Sequence, residues 1–249
     1  MAAASRLSQP RSRPADERAE TSGVDSGLYM IAPLAPSVVG DVARVHIASF
    51  QDSFLASLGE RVLRHYFRAF LDYPQGCGFV CLHRPTGAVV GFVCGSEDVT
   101  RHWRVFLRRR LVWAAPALAA RVLREPQLAL ALLSRLQRVA GLTRGARRTA
   151  PITRNSTGVL PPASLMTIGV DPAHQRQGIG ELLVRAFTGE MARRGVRVIK
   201  LGVRDENTAA RRLYERLGWR PVRATRGPEG TGWMYVRELD GRPPAAPAH

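Results

Sequence analysis

Val170-Asp171-Pro172-Ala173-His174-Gln175-Arg176-Gln177-Gly178-Ile179-Gly180 joins an apolar run to an amphipathic one. Upstream, Ala163–Val170 (ASLMTIGV) reads as a buried strand. Downstream, Ile179, Leu182, Leu183, Ala186 and Phe187 recur at helical spacing within about Gly178–Arg194. Gly178 and Gly180 let main chain approach a ligand closely. A turn that opens a helix offers free N–H groups and the positive end of the helix dipole. Gln175, Arg176 and Gln177 add donors and one positive charge. A pyrophosphate suits such a turn. The segment is neither G-x-x-x-x-G-K-S/T nor G-x-G-x-x-G, so neither a P-loop NTPase nor a dinucleotide fold follows. Taken alone, an ordinary strand-to-helix turn with packing glycines remains open.

Outward from this turn the pattern alternates. Leu28–Pro33 reads as a strand, and Ser37 as the cap of a helix reaching about Ser49. A second helix spans about Leu58–Leu71. Cys77–His83 and Ala88–Glu97 form a hairpin across Arg84–Gly87. Residues 99–150 read as helices broken near Pro116 and Pro126, and about 141–162 as loop. After the turn and its helix come a strand at Val196–Val203, a helix at Asn207–Leu217 and a closing hairpin of Trp219–Thr225 with Trp233–Leu239. The strand–helix–strand unit implies a parallel pair with a right-handed crossover. The fold class is a mixed α/β sheet. The domain spans 28–240, with 99–162 as a helical basic insertion between the third and fourth strands. Residues 1–27 and 241–249 are polar, Ala/Pro/Arg-rich ends expected to be disordered.

Of 37 basic residues 36 are arginine, and the net charge of +17 is unevenly spread. Residues 99–163 hold 13 basic groups and one acidic group, whereas 28–98 hold five and six. No apolar run approaches the roughly 18–20 residues of a spanning helix, and the N-terminus lacks a signal-peptide core. Three cysteines, Cys77, Cys81 and Cys94, do not make a disulfide framework, and a reducing cytoplasm is the expected location. No metal-spaced Cys/His cluster or Ser/His/Asp set appears, so no metal is expected.

Asn207-Thr208-Ala209-Ala210-Arg211-Arg212-Leu213-Tyr214-Glu215-Arg216-Leu217-Gly218-Trp219 follows the next strand. With it the sequence resembles the Gcn5-related N-acetyltransferase (GNAT) superfamily. That family carries V-x-P-x-x-Q/R-x-x-G-x-G/A and then N-x-x-A-x-x-x-Y-x-x-x-G-F/W. Val170, Pro172, Gln175, Gly178 and Gly180 match the first pattern, and Asn207, Ala210, Tyr214, Gly218 and Trp219 the second. The resemblance covers about residues 163–225 and implies the acyl-CoA N-acyltransferase fold. It implies acetyl-CoA as co-substrate, lying between two central strands that splay apart. The N–H of Val170, or of its neighbour Ile168, would polarise the thioester carbonyl. Gln175, Arg176, Gln177, Gly178, Ile179 and Gly180 would cradle the pyrophosphate. Asn207 would bond the pantetheine arm, and Tyr214 would protonate the leaving thiolate. Tyr214 also reads as a packed aromatic and Asn207 as a helix cap. For the general base, Glu97 at the end of the hairpin is the first candidate and Asp98 the second.

The resemblance thus implies transfer of acetyl to a primary amine by direct attack in a ternary complex. A small-molecule acceptor, such as an amino sugar or sugar nucleotide, is the leading expectation. A protein N-terminus or lysine is the alternative, as is a non-catalytic acyl-CoA-binding module docked on a membrane. Arginine and aromatic residues from Arg101 to Trp113 allow a lid over an anionic acceptor, contact of 99–150 with anionic membrane, or an extra helical pair with a solvated face. With only 7% aromatic residues and no stacking platform, nucleic acid is the least supported partner. A homodimer is left open.

Overall fold

The apolar runs pair into one seven-stranded sheet, of order β1-β2-β3-β4-β5-β7-β6. The computed structural model describes residues 27–51, 53–125, 129–130, 162–227 and 230–239. Its strands are β1 (Tyr29–Pro33), β2 (Gly76–His83), β3 (Ala88–Ser96), β4 (Ala163–Val170), β5 (Val198–Arg204), β6 (Arg220–Gly227) and β7 (Gly230–Glu238). Every pairing is antiparallel except β4 with β5, the parallel pair expected of the strand–helix–strand unit.

Helices cover both faces. On one lie α1 (Val39–Ser49), the single turn α2 (Phe54–Ser57) and α3 (Glu60–Asp72). Their Val42, Val45, Leu63, Phe67 and Phe70 pack with Val80, Phe92 and Cys94 of the sheet. On the other lies α6 (Ile179–Arg193), whose Leu183, Phe187 and Met191 pack with Cys81, Val93 and Leu165. Each fully buried side chain of this size contributes about 1.5–3 kcal/mol. Gly95 lets α6 approach: a Cβ there would lie 2.4 Å from the Phe187 ring. A last helix, α7 (Thr208–Arg216), brings Tyr214 against Trp219 and Tyr235.

The insertion opens with α4 (Val99–Val105), where the Asp98 side chain accepts from the Arg101 N–H at 3.0 Å. A wide turn, Phe106–Arg110, leads into α5 (Leu111–Arg124). Two expectations need correcting. The helix does not break at Pro116, which sits inside α5. The carbonyl that Pro116 leaves without a donor is that of Val112, which is 70% exposed, so water can serve it. Ser37 does not cap α1 either, because a short 3-10 turn, Pro36–Val38, precedes that helix. The expected break at Pro126, most of the loop at 141–162 and the expected disorder of both chain ends lie outside the described residues. Among the described residues no helix is long and apolar enough to cross a membrane.

Candidate active site

The site begins with a mismatch in β4. Gly95 pairs with Leu165 but Cys94 pairs with Thr167, so Met166 is an extra residue on β4. Such a bulge bends a strand and increases its twist. On its other side β4 meets β5 only at Ala163 with Ile199 and Ser164 with Lys200. Beyond Ser164 the two strands part.

The parted stretch has a definite polarity. Asp171 N–H donates to the Val90 carbonyl at 2.9 Å. Antiparallel ladders alternate, so Gly169 and Thr167 also face β3, whereas Ile168 and Val170 turn their N–H and C=O groups outward. The outward Val170 carbonyl accepts from the Ser49 hydroxyl at 2.9 Å and from the Gln175 amide at 3.2 Å. Two contiguous cavities, of about 520 and 650 Å³, follow this edge. Both are lined by Ser49, Phe50, Ile168, Asn207, Ala210 and Tyr214.

The larger-numbered end of β4 leads into the turn. Gly178 has φ 76° and Arg176 φ 63°, so the chain coils left-handed twice within three residues. Gly178 adopts this freely; an arginine does so at a cost. Gly178 also precedes α6 without a side-chain cap, and its carbonyl takes the Glu181 and Leu182 N–H groups. Helix geometry leaves the N–H groups of Ile179 and Gly180 with no partner inside α6. Gln175, Arg176, Gly178, Ile179 and Gly180 all line the smaller cavity, so hydrogen-bond donors and one positive charge gather at that end of it. Gln177 is different: its side chain accepts from the Tyr29 hydroxyl, which also bonds His174 Nδ1 at 3.1 Å. It braces the turn against β1.

From the opposite wall come Asn207 and Tyr214. The Asn207 side-chain oxygen caps α7 by accepting from Ala210 N–H at 3.1 Å, while the residue still lines both cavities. Cap and cleft residue are therefore the same residue. Tyr214 is buried, and burial raises its phenol well above the ordinary value. It stays protonated across the neutral range.

Glu97 does not join this group. It lines neither cavity, and Arg194 at the end of α6 holds it by an ion pair of 3.2 Å. Strand alternation puts Glu97 on the α6 face, as the sequence suggests, but beyond the closed end of the cleft. Asp98 is committed to capping α4. No acid of the β3–α4 corner thus faces the cavities as base.

The structure adds residues that the sequence did not single out. His46 of α1 lines the larger cavity, stacks among Phe50, Phe67 and Phe92, and has no hydrogen-bond partner on either ring nitrogen among the described residues. Burial lowers its pKa to about 4, so the ring is neutral. Ser49 and Phe50 close the cleft from the end of that helix. The one signal for them was the end of a predicted helix. The cysteines are poor nucleophiles: burial pushes Cys77 up to about 12, Cys81 to about 11 and Cys94 well above the ordinary thiol value.

Comparison with known proteins agrees with this geometry. Residues 125–219 match the model of the acetyltransferase (GNAT) family. Over 84 residues the chain is 40% identical to the [Ribosomal protein bS18]-alanine N-acetyltransferase of Escherichia coli (strain K12), which covers 34% of this chain and 52% of that protein. The chain thus spans about half the length of that relative. Two solved structures share the fold. SsHAT superposes with TM-score 0.56 at 22% identity, covering 85% of this chain and 98% of that one. The paia N-acetyltransferase of Thermoplasma acidophilum, in complex with coenzyme A, gives 0.51 at 9% identity, covering 85% and 99%.

Proposed function

We propose that the chain is a GNAT-type acetyltransferase that moves an acetyl group from acetyl-CoA to a primary amine. One observation carries this reading: an anion cradle opens directly onto a strand edge with outward N–H groups, and that edge leads to a buried phenol. Acetyl-CoA supplies the acetyl group as an activated thioester.

The chain's own residues do the rest. The N–H groups of Ile179 and Gly180, with Arg176, hold the pyrophosphate. The N–H and C=O of Ile168 and the N–H of Val170 bond the extended arm as a neighbouring strand would, and one N–H polarises the thioester carbonyl. Asn207 steadies the arm with its amide nitrogen, since its oxygen is used by α7. Tyr214 hands a hydrogen bond, and then its proton, to the departing sulfur. No cysteine is ionised enough to carry the acyl group, so attack by the amine is direct. Burial holds the His46 ring neutral and only weakly basic, so water in the larger cavity is what takes the amine's proton, in place of Glu97.

The acceptor enters through the larger cavity, past His46, Gln51, Leu55, Met166 and Gly202. Its open floor at Gly202, where an added Cβ would meet nothing within 4 Å, suits a small amine such as an amino sugar. A second reading, the α-amino group of a protein, is favoured by the name of the Escherichia coli relative. Thiol release from acetyl-CoA, measured against amino sugars, polyamines, aminoglycosides and N-terminal peptides, tests both. Turnover with one class only, abolished in Tyr214→Phe, is expected. Equal turnover in that variant would refute the role given to the phenol.

A further inference from the structure

A third cavity, of about 620 Å³, lies between α1, α3 and the insertion and shares no lining residue with the cleft. Arg44, Arg61, Arg64, Arg68, Arg110 and Trp113 face it. Their counter-charges fall short. Asp41 pairs with Arg44, Glu60 with Arg64 at 2.6 Å, and Asp72 with Arg110 at 2.6 Å. Arg61 has no ion-pair partner among the described residues. Arg68 acts on Asp72 and His65 through its charge alone. Five guanidinium groups therefore meet three carboxylates.

The surplus is felt inside the cavity. His65 lines it too, and its pKa is lowered by partial burial and by the charges of Arg110 and Arg68. The helices are also shaped for a close approach. Gly40 carries no Cβ, and one there would stand 3.1 Å from the Arg64 guanidinium. At the mouth Trp113 is 69% exposed, beside Val112. Guanidinium forks match the oxygens of a phosphoryl group, and one such group can bridge several of them. An exposed indole at the rim favours a ligand with an apolar or ring portion.

We infer that this cavity, between α1, α3 and α5, binds the phosphoryl group of an amphiphilic ligand at a site separate from the acyl-donor cleft. The chemistry is shared by a free phosphate ester and by a phospholipid headgroup, and the test separates them. His65 is followed by proton NMR while inorganic pyrophosphate is titrated into the wild-type chain and into Arg61→Ser/Arg68→Ser. The turn at Gly178 does not touch His65, so this signal is independent of any anion held there. In parallel, both chains are sedimented with phosphatidylglycerol and phosphatidylcholine vesicles.

Pyrophosphate is expected to raise the His65 pKa, with affinity about tenfold or more weaker in the double variant. That result alone identifies a soluble phosphate as the ligand. Co-sedimentation with phosphatidylglycerol, lost in the double variant and absent with phosphatidylcholine, identifies a headgroup. A His65 titration unmoved by pyrophosphate, together with vesicle binding that is absent or equal in both chains, overturns the inference. Thermal unfolding of the double variant close to wild type excludes misfolding as the cause.

Discussion

In the proposed mechanism Tyr214 and Asn207 each hold two jobs, and single substitutions can part them. Burial raises the Tyr214 phenol, so its charged form is suppressed and the proton is retained well into the alkaline range. Tyr214→Phe should keep the packing against Trp219 and Tyr235 and lower kcat by about 100-fold or more. CoA affinity by calorimetry should stay within about twofold of wild type. Asn207→Asp should retain the cap on α7, because a carboxylate caps as well as an amide, so stability should change by less than about 0.5 kcal/mol. It should nevertheless raise KM for acetyl-CoA, since the amide nitrogen is gone. A variant with unchanged KM would leave Asn207 as a cap only.

At the scale of elements, the cleft depends on one turn and one bulge. Gly178 at φ 76° permits the left-handed step before α6. Gly178→Glu adds strain of about 1 kcal/mol and puts a negative charge where the anion should sit. Acetyl-CoA binding should vanish in calorimetry while the far-ultraviolet circular dichroism stays native. Binding at wild-type strength would remove the anion role from the turn. The turn was legible because its residues are local: strand, glycines and amphipathic helix follow one another in sequence. The bulge at Met166 was not, since ASLMTIGV carries no break in its apolar run. It arises from how β3 and β4 register, which no local pattern encodes. Glu97 misled for a related reason. Alternation names its face correctly but says nothing of Arg194, 97 residues away, waiting at that end of the sheet. Similarly, α1 shows its apolar side in the sequence, yet only the packed structure sets His46, Ser49 and Phe50 over the cleft.

For the whole molecule, the sheet face under α1 and α3 carries two histidines that must stay neutral. His46 and His102 are buried without hydrogen-bond partners among the described residues, and burial lowers each pKa to about 4. In the unfolded chain both titrate near 6.5. Below that value the unfolded state binds protons that the folded state refuses, so stability present above pH 6.5 is lost as pH falls towards 4. The loss amounts to up to about 3 kcal/mol per histidine. Urea melts at pH 7.5 and 4.5 should show this fall. His46→Leu/His102→Leu should lessen it; an undiminished fall would assign it to carboxylates instead. The positive excess of the sequence also finds a place at this scale. Arg110 of the insertion lines the same cavity as Arg61, Arg64 and Arg68 of α3, so a bias visible in composition becomes a local field there.

The parted edge of β4 has a consequence for inheritance. Its donors are main-chain atoms, which every amino acid supplies alike, whereas the proposed acceptor entrance is set by side chains on α1, α2, the residues between them, and β4, with Gly202 of β5 leaving room. Mutation can therefore rewrite the guest list without disturbing the reagent. A library randomised at Gln51, Leu55, Met166 and Gly202 should yield folded variants that exchange one amine for another, with KM for acetyl-CoA scattered only about threefold around the parent's. Drift of that kind would leave relatives recognisable by their turn and strangers by their substrate.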